Sequence, residues 1–337
     1  MNRKLLAISA VLFFLVMSSC NSNKFSTYKK TKALMDTFVS ITVVSDSEDK
    51  AESSIDNAFS AIEHFGDLIN FFSDRSELSS ININAGLKEV EVSPETLDII
   101  EKAIYVSEKS GGAFDATVGP LIKLWNFHKK VKPSDAEIRK NLPLVNYRNI
   151  VINRDRSTVF LRKKGMLLDL GGIAKGYAAD LAVEVLRKGG INSGIVAIAG
   201  DIRAFGLKPD GKPWNIGIKN PRQNNDSDEI IARIKLNDRA ISTSGDYERF
   251  FLQDGKRFHH LLDPKTGYPA DRCRGVSIIT DKGVFADAFS TAVFVLGTGN
   301  GLKLVRETGM DAIVIDSSGI IHATDGLKGR LEIEGSH

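Results

Sequence analysis

Cysteine is nearly missing from this chain: 337 residues contain two, Cys20 and Cys273. If Cys20 is modified, Cys273 has no partner in the chain, so the fold stands without a disulfide and draws its stability from an apolar core. A dominant charge is missing too. The 45 basic and 42 acidic residues nearly cancel, and removing Arg3 and Lys4 with a leader brings the balance to +1. That excludes the electrostatic footprint of nucleic-acid binding. There is no repeat of fixed period and no GxxxxGK[ST] phosphate loop. The apolar run at the N-terminus, residues 5–17, falls well short of the roughly 20 residues that span a bilayer.

That run has another use. Asn2, Arg3 and Lys4 form a basic head, the apolar stretch follows, and Ser18, Ser19 and Cys20 come at once. The pattern is a signal peptide over residues 1–19. A cysteine directly after small residues is similar to a bacterial lipobox, with Met17 where leucine is usual; Cys20 is then lipidated and becomes the first mature residue. Ordinary cleavage to a soluble secreted protein is the alternative. Residues 20–32 are polar and rich in Ser, Lys and Thr, as expected of a flexible tether, and residues 33–335 have ample material for one domain.

The chain is organised around LDLGGIAKGYAAD, residues 168–180. Apolar residues and Asp169 lead to Gly171 and Gly172, and a helical pattern follows through Ala178, Ala179, Leu181, Ala182 and Val185. This reads as strand, turn and helix. Glycines at such a junction let a ligand approach the backbone, and the helix N-terminus favours anions. Lys175 adds a full charge one turn in. A glycine pair alone more often serves only to pack a helix on a strand. The carboxylate at the end of an apolar run tips the balance, because buried Asp169 needs a partner, either Lys175 or a ligand.

Along the mature chain, residues 32–44 alternate and predict a first strand with Met35 and Asp36 near its start. Apolar spacing predicts a helix over 52–72, ending in Phe71 and Phe72. Such a pair is more often core, although an aromatic at a loop edge also stacks on planar rings. Ser93 and Pro94 start another helix. GGAFDATVGPLIKLW, residues 111–125, predicts a shaped loop in which Asp115 is an Asx-turn residue. A short helix over 135–142, a hairpin over 150–161, and strands over 194–200, 214–218, 230–236, 238–251 and 256–263 complete the reading. Antiparallel strands with segregated helices make the fold class α+β.

Two further stretches carry chemistry. In HHLLDPKTGYP, residues 259–269, one histidine is expected to titrate near neutrality beside a rigid turn. In ADAFSTAVFVLG, residues 286–297, Asp287 and Thr291 are four apart and share a helix face, where carboxylate and hydroxyl suit a hard cation such as Mg2+. Standing alone, the pair would be a helix-start Asp and a Thr bonded to its own backbone.

MDTFVSI, FSDRSELSSIN, GGAFDATVGPLIKLW, LDLGGIAKGYAAD, ISTSGDYERFF, HHLLDPKTGYP and ADAFSTA stand in one order. Together they resemble the FAD:protein FMN transferases, the ApbE-like flavin transferases of bacteria, over residues 31–330. The resemblance implies a single domain of mixed, largely antiparallel sheets with segregated helices, and a reaction. FAD is the substrate, Mg2+ is the cofactor, and the FMN half is joined through a phosphoester to a threonine or serine of a partner protein with release of AMP. It assigns Met35, Phe72, Ala113, Phe114, Asp115, Asp169, Lys175 and Leu261 to FAD. It assigns Asp287, Thr291 and a backbone carbonyl, of Gly172 or else Ala174, to the metal. Many members carry tyrosine at Phe72 and alanine at Gly172.

Phosphoryl transfer needs charge neutralisation and alignment, which the metal and Lys175 would supply. The acceptor hydroxyl needs a base, for which His260 is the candidate. The partner implied is a protein carrying D-G-x-[ST]-x-x-T, typically a flavin-bearing subunit of a membrane redox complex. No such motif occurs here, since the Asp-Gly pairs at 210, 254 and 325 all lack the hydroxyl, so transfer is expected in trans. The expected location is the periplasmic side of a bacterial membrane, anchored through Cys20. Two rival functions share the site: an FAD pyrophosphatase giving FMN and AMP, and a non-enzymatic flavin-binding lipoprotein.

Overall fold

The computed structural model describes residues 25–127, 129–222 and 229–334. The leader and Cys20 lie outside the described residues. Strand β1 (Ser26–Leu34) pairs antiparallel with β2 (Thr37–Ser45) across a two-residue turn. The expected single strand is therefore a hairpin, and the expected tether is strand from Ser26 onward. Met35 and Asp36 both take left-handed backbone, with φ of 53° and 55°. Two-residue hairpin turns of this kind are ordinarily marked by Asn-Gly or Asp-Gly, and Met-Asp carries no such mark.

Helix α1 (Glu48–Leu68) starts on the Ser47 cap, and α2 (Glu77–Ile83) on that of Ser76. A short strand β3 (Val90–Glu91) precedes α3 (Pro94–Lys109), which is capped by Ser93 with proline at its first position, as read. The stretch expected as one irregular loop contains α4 (Gly119–Leu124). Next come α5 (Asp135–Asn141), the hairpin β4 (Ile150–Asn153) and β5 (Thr158–Leu161), and α6 (Ala174–Lys188). Strands β6 (Gly194–Ile198), β7 (Asp201–Phe205), β8 (Trp214–Lys219) and β9 (Ile230–Leu236) follow. Residues 238–251 are not one strand. They divide into β10 (Ala240–Gly245) and β11 (Phe250–Gln253), which joins β12 (Lys256–His259) in a separate hairpin. The C-terminal part is β13 (Cys273–Thr280), α7 (Gly283–Glu307), β14 (Asp311–Asp316), β15 (Ile321–Ala323) and β16 (Leu331–Ile333).

The main sheet runs β1-β2-β6-β7-β10-β13-β14-β15, every neighbouring pair antiparallel, which bears out the α+β class. One face carries α1, α6 and α7, with Val39, Ile41, Val196, Ile198, Val276 and Ile278 pointing into that core. The other face is covered by β8, β9 and β16, through Trp214, Ile216, Ile234 and Leu236. A satellite cluster of Leu121, Trp125, Ile138, Phe251, Phe258 and Leu262 joins α4 and α5 to the β11–β12 hairpin. There the Trp125 indole N–H donates to the Gly267 carbonyl at 2.9 Å. Helix α7 is mostly apolar up to Leu296, where it is buried between the sheet and α6, and it kinks at Gly297 before a last part that exposes Lys303, Arg306 and Glu307.

Helices α6 and α7 touch through backbone. A Cβ added at Gly176 would lie 2.1 Å from the Gly283 carbonyl oxygen, and one at Gly283 would lie 2.5 Å from that of Gly176. Asp180 of α6 fixes the crossing: its carboxylate accepts from the Gly283 and Val284 N–H groups at 2.9 and 3.0 Å, capping α7 from outside. Gly176→Ala should therefore destabilise the protein by about 1–3 kcal/mol or more, the scale of overpacking. Gly299→Ala, whose new methyl meets nothing within 4 Å, should be neutral or slightly stabilising. Urea midpoints of the two variants check the pair, and equal stability would show that the helices separate without strain.

Candidate active site

The segment before α6 is not a strand. Leu168 is held by the Asn82 side chain, which donates to its carbonyl at 3.0 Å and accepts from its N–H at 2.6 Å. Leu167 makes a single bridge to Val118, and the Asp169 N–H donates to the Ala116 carbonyl at 2.8 Å. One amide side chain thus does the work of a neighbouring strand, and three of the motifs are tied together. The Asx turn at Asp115 is present: Oδ1 accepts from the Thr117 N–H and hydroxyl at 2.8 and 2.6 Å. Oδ2 accepts from the Tyr147 N–H at 2.9 Å, so this carboxylate is committed to its own loop. Burial pushes its pKa up, and these bonds oppose the shift.

The chain then turns at Gly171 and Gly172 into α6. A Cβ at Gly172 would stand 3.3 Å from the Phe114 ring and 3.5 Å from the Thr291 hydroxyl, so the turn lies between the GGAFD loop and the functional face of α7. Asp169 is not paired with Lys175. Its Oδ1 accepts the Gly171 N–H at 2.8 Å. Burial raises its pKa, and that bond and the Arg249 charge pull it back.

Lys175 reaches the other way. Its ammonium donates to Asp201 Oδ2 and faces Asp287 Oδ1 at 4.0 Å. Burial opposes its charge most strongly, but the two carboxylates prevail and hold its pKa above the ordinary lysine value. Asp287, 3% exposed, gives its other oxygen to the Gly176 N–H at 3.0 Å. Helix α6 begins at Ala174 with Ile173 as its cap, so the Gly176 N–H is one of the first-turn donors without an intrahelical partner, and the Gly172 carbonyl lies before the cap, outside the helix ladder. Burial and the neighbouring Asp201 charge push the Asp287 pKa up.

Thr291 stands one turn from Asp287, its hydroxyl 3.2 Å from that of Ser244, which bonds Ser290 at 2.7 Å. Carboxylate, hydroxyl and a free carbonyl form an all-oxygen set with a single carboxylate, which fits a hard divalent cation that keeps waters and takes phosphate oxygens. Among the described residues no group of three or more His, Cys, Asp and Glu side chains forms a metal cluster, so any cation site here relies on neutral oxygens.

The histidines depart from expectation. Both are pushed below the ordinary histidine value. His259 is locked between the Ala270 carbonyl, 2.7 Å from Nε2, and the Leu261 N–H, 3.3 Å from Nδ1, with its ring edge-on to Phe294. Burial depresses its pKa. His260 is pushed down to about 3 by burial, with the Arg249 and Lys175 charges acting in the same sense. Its Nδ1 is buried without a hydrogen-bond partner among the described residues.

Leu261, Ala113 and Phe114 are buried nearby in the motifs' packing, and Met35 sits at the tip of the first hairpin. Phe72 is 80% exposed and meets Phe71 edge-on, while Phe71 packs against the core; of the pair, only Phe71 is core. Two residues escaped the sequence reading: Asp201, just beyond the strand expected over 194–200, and Arg249, whose charge reaches Asp169, Lys175 and His260.

The ApbE family model matches residues 35–314. The chain belongs to the ApbE family. The FAD:protein FMN transferase of Treponema pallidum is 33% identical over 301 residues, covering 84% of this chain and 83% of that protein. One from Klebsiella pneumoniae is 35% identical over 273 residues, covering 80% of this chain and 83% of its own. Among solved structures, the ApbE protein of Thermotoga maritima superposes with a TM-score of 0.83 at 35% identity, over 90% of this chain and 98% of that one. The flavin transferase ApbE of Vibrio cholerae gives 0.79 at 27% identity, over 91% and 99%. Membership makes this an enzyme of the flavin-transferase kind, and the ApbE resemblance of its motifs holds.

The histidine values carry a stability prediction. A histidine whose folded pKa lies below its unfolded one binds fewer protons folded than unfolded between the two, so stability falls as pH falls through that window. For His260 the window runs from 6.5 down to about 3. Replacing it with Gln should flatten the decline in urea midpoint between pH 7 and pH 4, reduced rather than abolished because His259 acts in the same sense. An unchanged slope would show that the imidazole is not held neutral.

Proposed function

We propose that this ApbE-family enzyme is an FAD:protein FMN transferase that moves the FMN moiety of FAD to a threonine or serine hydroxyl of an acceptor protein, with magnesium, releasing AMP. The observation that carries the reading is that α7 meets the start of α6 through Asp287, at the Gly176 N–H and 4.0 Å from the Lys175 ammonium, and through Thr291, beside Gly172. Asp287, Thr291 and the Gly172 carbonyl would hold a divalent cation, whose chemistry there is to neutralise charge on phosphoryl oxygens. Lys175 adds a fixed ammonium beside the same oxygens. Phe72 offers an exposed face for the isoalloxazine, with Met35, Ala113, Phe114, Asp169, Leu261 and the backbone at Asp115 around the rest of FAD.

In the transfer, the acceptor oxygen bonds to the FMN phosphorus as the bond from that phosphorus to the bridging oxygen breaks. AMP leaves with the bridging oxygen. The hydroxyl proton passes to Nδ1 of His260, the buried nitrogen without a partner among the described residues. The low basicity of His260 reflects burial and neighbouring cations, and the anionic diphosphate of bound FAD offsets those cations. The acceptor is a separate protein with a D-G-x-[ST]-x-x-T segment. In this reading Cys20 carries lipid on the periplasmic side of the membrane. Only residues 21–25 then separate the anchor from β1, an extended reach of at most about 18 Å.

The deciding experiment incubates the protein with FAD and Mg2+, with and without an acceptor-motif protein. A fluorescent band at the acceptor's mass, with AMP formed, is expected; AMP with free FMN only would assign a pyrophosphatase, and no turnover a binding protein. Asp287→Ala should abolish transfer and leave the protein folded, and normal turnover in that variant would sink the cation assignment. Phe72→Ala should weaken FAD binding by about 1–3 kcal/mol, the scale of aromatic stacking, without lowering the melting temperature. A lower melting temperature at unchanged affinity would place Phe72 in the core instead.

A further inference from the structure

Asp201 is buried, 2% exposed, at the first position of β7, and none of the motif assignments gives it a role. One carboxylate oxygen receives the Lys175 ammonium and the other the Ser242 hydroxyl, so the side chain is held from two sides by groups on α6 and β10. The backbone delivers it there at some strain. Ala199, two residues earlier in the β6–β7 turn, takes φ of 52°, and its N–H donates to the Phe38 carbonyl at 3.3 Å. A non-glycine residue in that region is a feature the surroundings must enforce.

A lysine side chain has four rotatable bonds and a charge that seeks water. Among the described residues Asp287 Oδ1, 4.0 Å away, is the other carboxylate oxygen beside the Lys175 ammonium, and without Asp201 the ammonium would be free to close on it. Asp201 draws it off. We infer that Asp201 is a positioning residue that parks the Lys175 ammonium at a fixed distance from Asp287, keeping Asp287 open on one oxygen and Lys175 aimed at the FAD diphosphate. Ser242 fixes the carboxylate's rotation. This inference rests on the transferase reading for the identity of the substrate, and on the geometry alone for the coupling between Asp201 and Lys175.

The test is a double-mutant cycle on the full chain, with Asp201→Asn, Lys175→Met and both together. Two quantities are read: FAD affinity by flavin fluorescence, and transfer to an acceptor-motif protein with Mg2+. Each single variant should lose about tenfold or more in kcat/KM, and the double variant should be no worse than Lys175→Met by more than about twofold. The affinity losses should coincide in the same way. Losses that multiply in the double variant would overturn the inference, because Asp201 would then act on metal, substrate or fold without Lys175. Ser242→Ala provides the second arm should Asp201→Asn fold poorly: it should give a smaller loss that also vanishes in the Lys175→Met background, and a loss that persists there is adverse. If the wild type binds FAD but transfers nothing, the transfer reading fails while the affinity cycle still decides the role of Asp201.

Discussion

The close crossing of α6 and α7 is the constraint on which the rest of the site depends. Two glycines, Gly176 and Gly283, bring the helix backbones into contact, and that contact lets Asp287 on one helix enter the first turn of the other. A larger residue at either position would push the helices apart and withdraw Asp287 from the Gly176 N–H. The same crossing sets Thr291 against the glycine turn one helical turn further on. Asp180 then closes the arrangement by capping α7 from α6, its carboxyl oxygens accepting from N–H groups that the Lys282 side chain does not cap. The site is therefore a property of how two helices pack, and the sheet beneath serves to hold both.

Much of this was legible because it is local. Helix starts follow from side chains that bond the backbone three residues on, and Ser93 before Pro94 is such a signal. Asp287 and Thr291 share a face because a helix repeats every 3.6 residues. The Asx turn at Asp115 is likewise a two-residue affair. What failed was non-local. Residues 168–170 look like a strand, yet their partner is the side chain of Asn82, which no periodicity of the segment itself reveals. The β1–β2 turn escaped notice because Met35 accepts a left-handed backbone that sequence rules reserve for Gly and Asn. Residues 238–251 read as one strand, but the chain leaves the main sheet after Gly245, and a local pattern does not say which sheet a strand joins.

The misread histidines have the same origin. A histidine next to a DPxTG turn was expected to titrate near neutrality, since its charge depends on surroundings that sequence does not contain. In the fold, β12 ends so that His259 and His260 point to different environments, one clamped between two backbone groups and one beside Lys175 and Arg249. Burial lowers both pKa values, and at His260 the Arg249 and Lys175 charges add to it. Asp201 was missed because its partners Lys175 and Ser242 lie 26 and 41 residues away in sequence, and Arg249 because its charge acts on Asp169 and Lys175 from a distant part of the chain.

Charge at the centre closes the argument for what this site accepts. Lys175 stands between Asp201 and Asp287, one ammonium against two carboxylates, in a place where burial opposes every ionised form. Burial and like-charge repulsion accordingly push the Asp287 pKa up, so the resting cluster lacks positive charge. On the proposed reading, a cation beside Asp287 would relieve that deficit, and a diphosphate would offset the cations that suppress the basicity of His260. The coupling would be reciprocal: cation and dinucleotide would each strengthen the binding of the other, and the imidazole would gain basicity with the substrate in place.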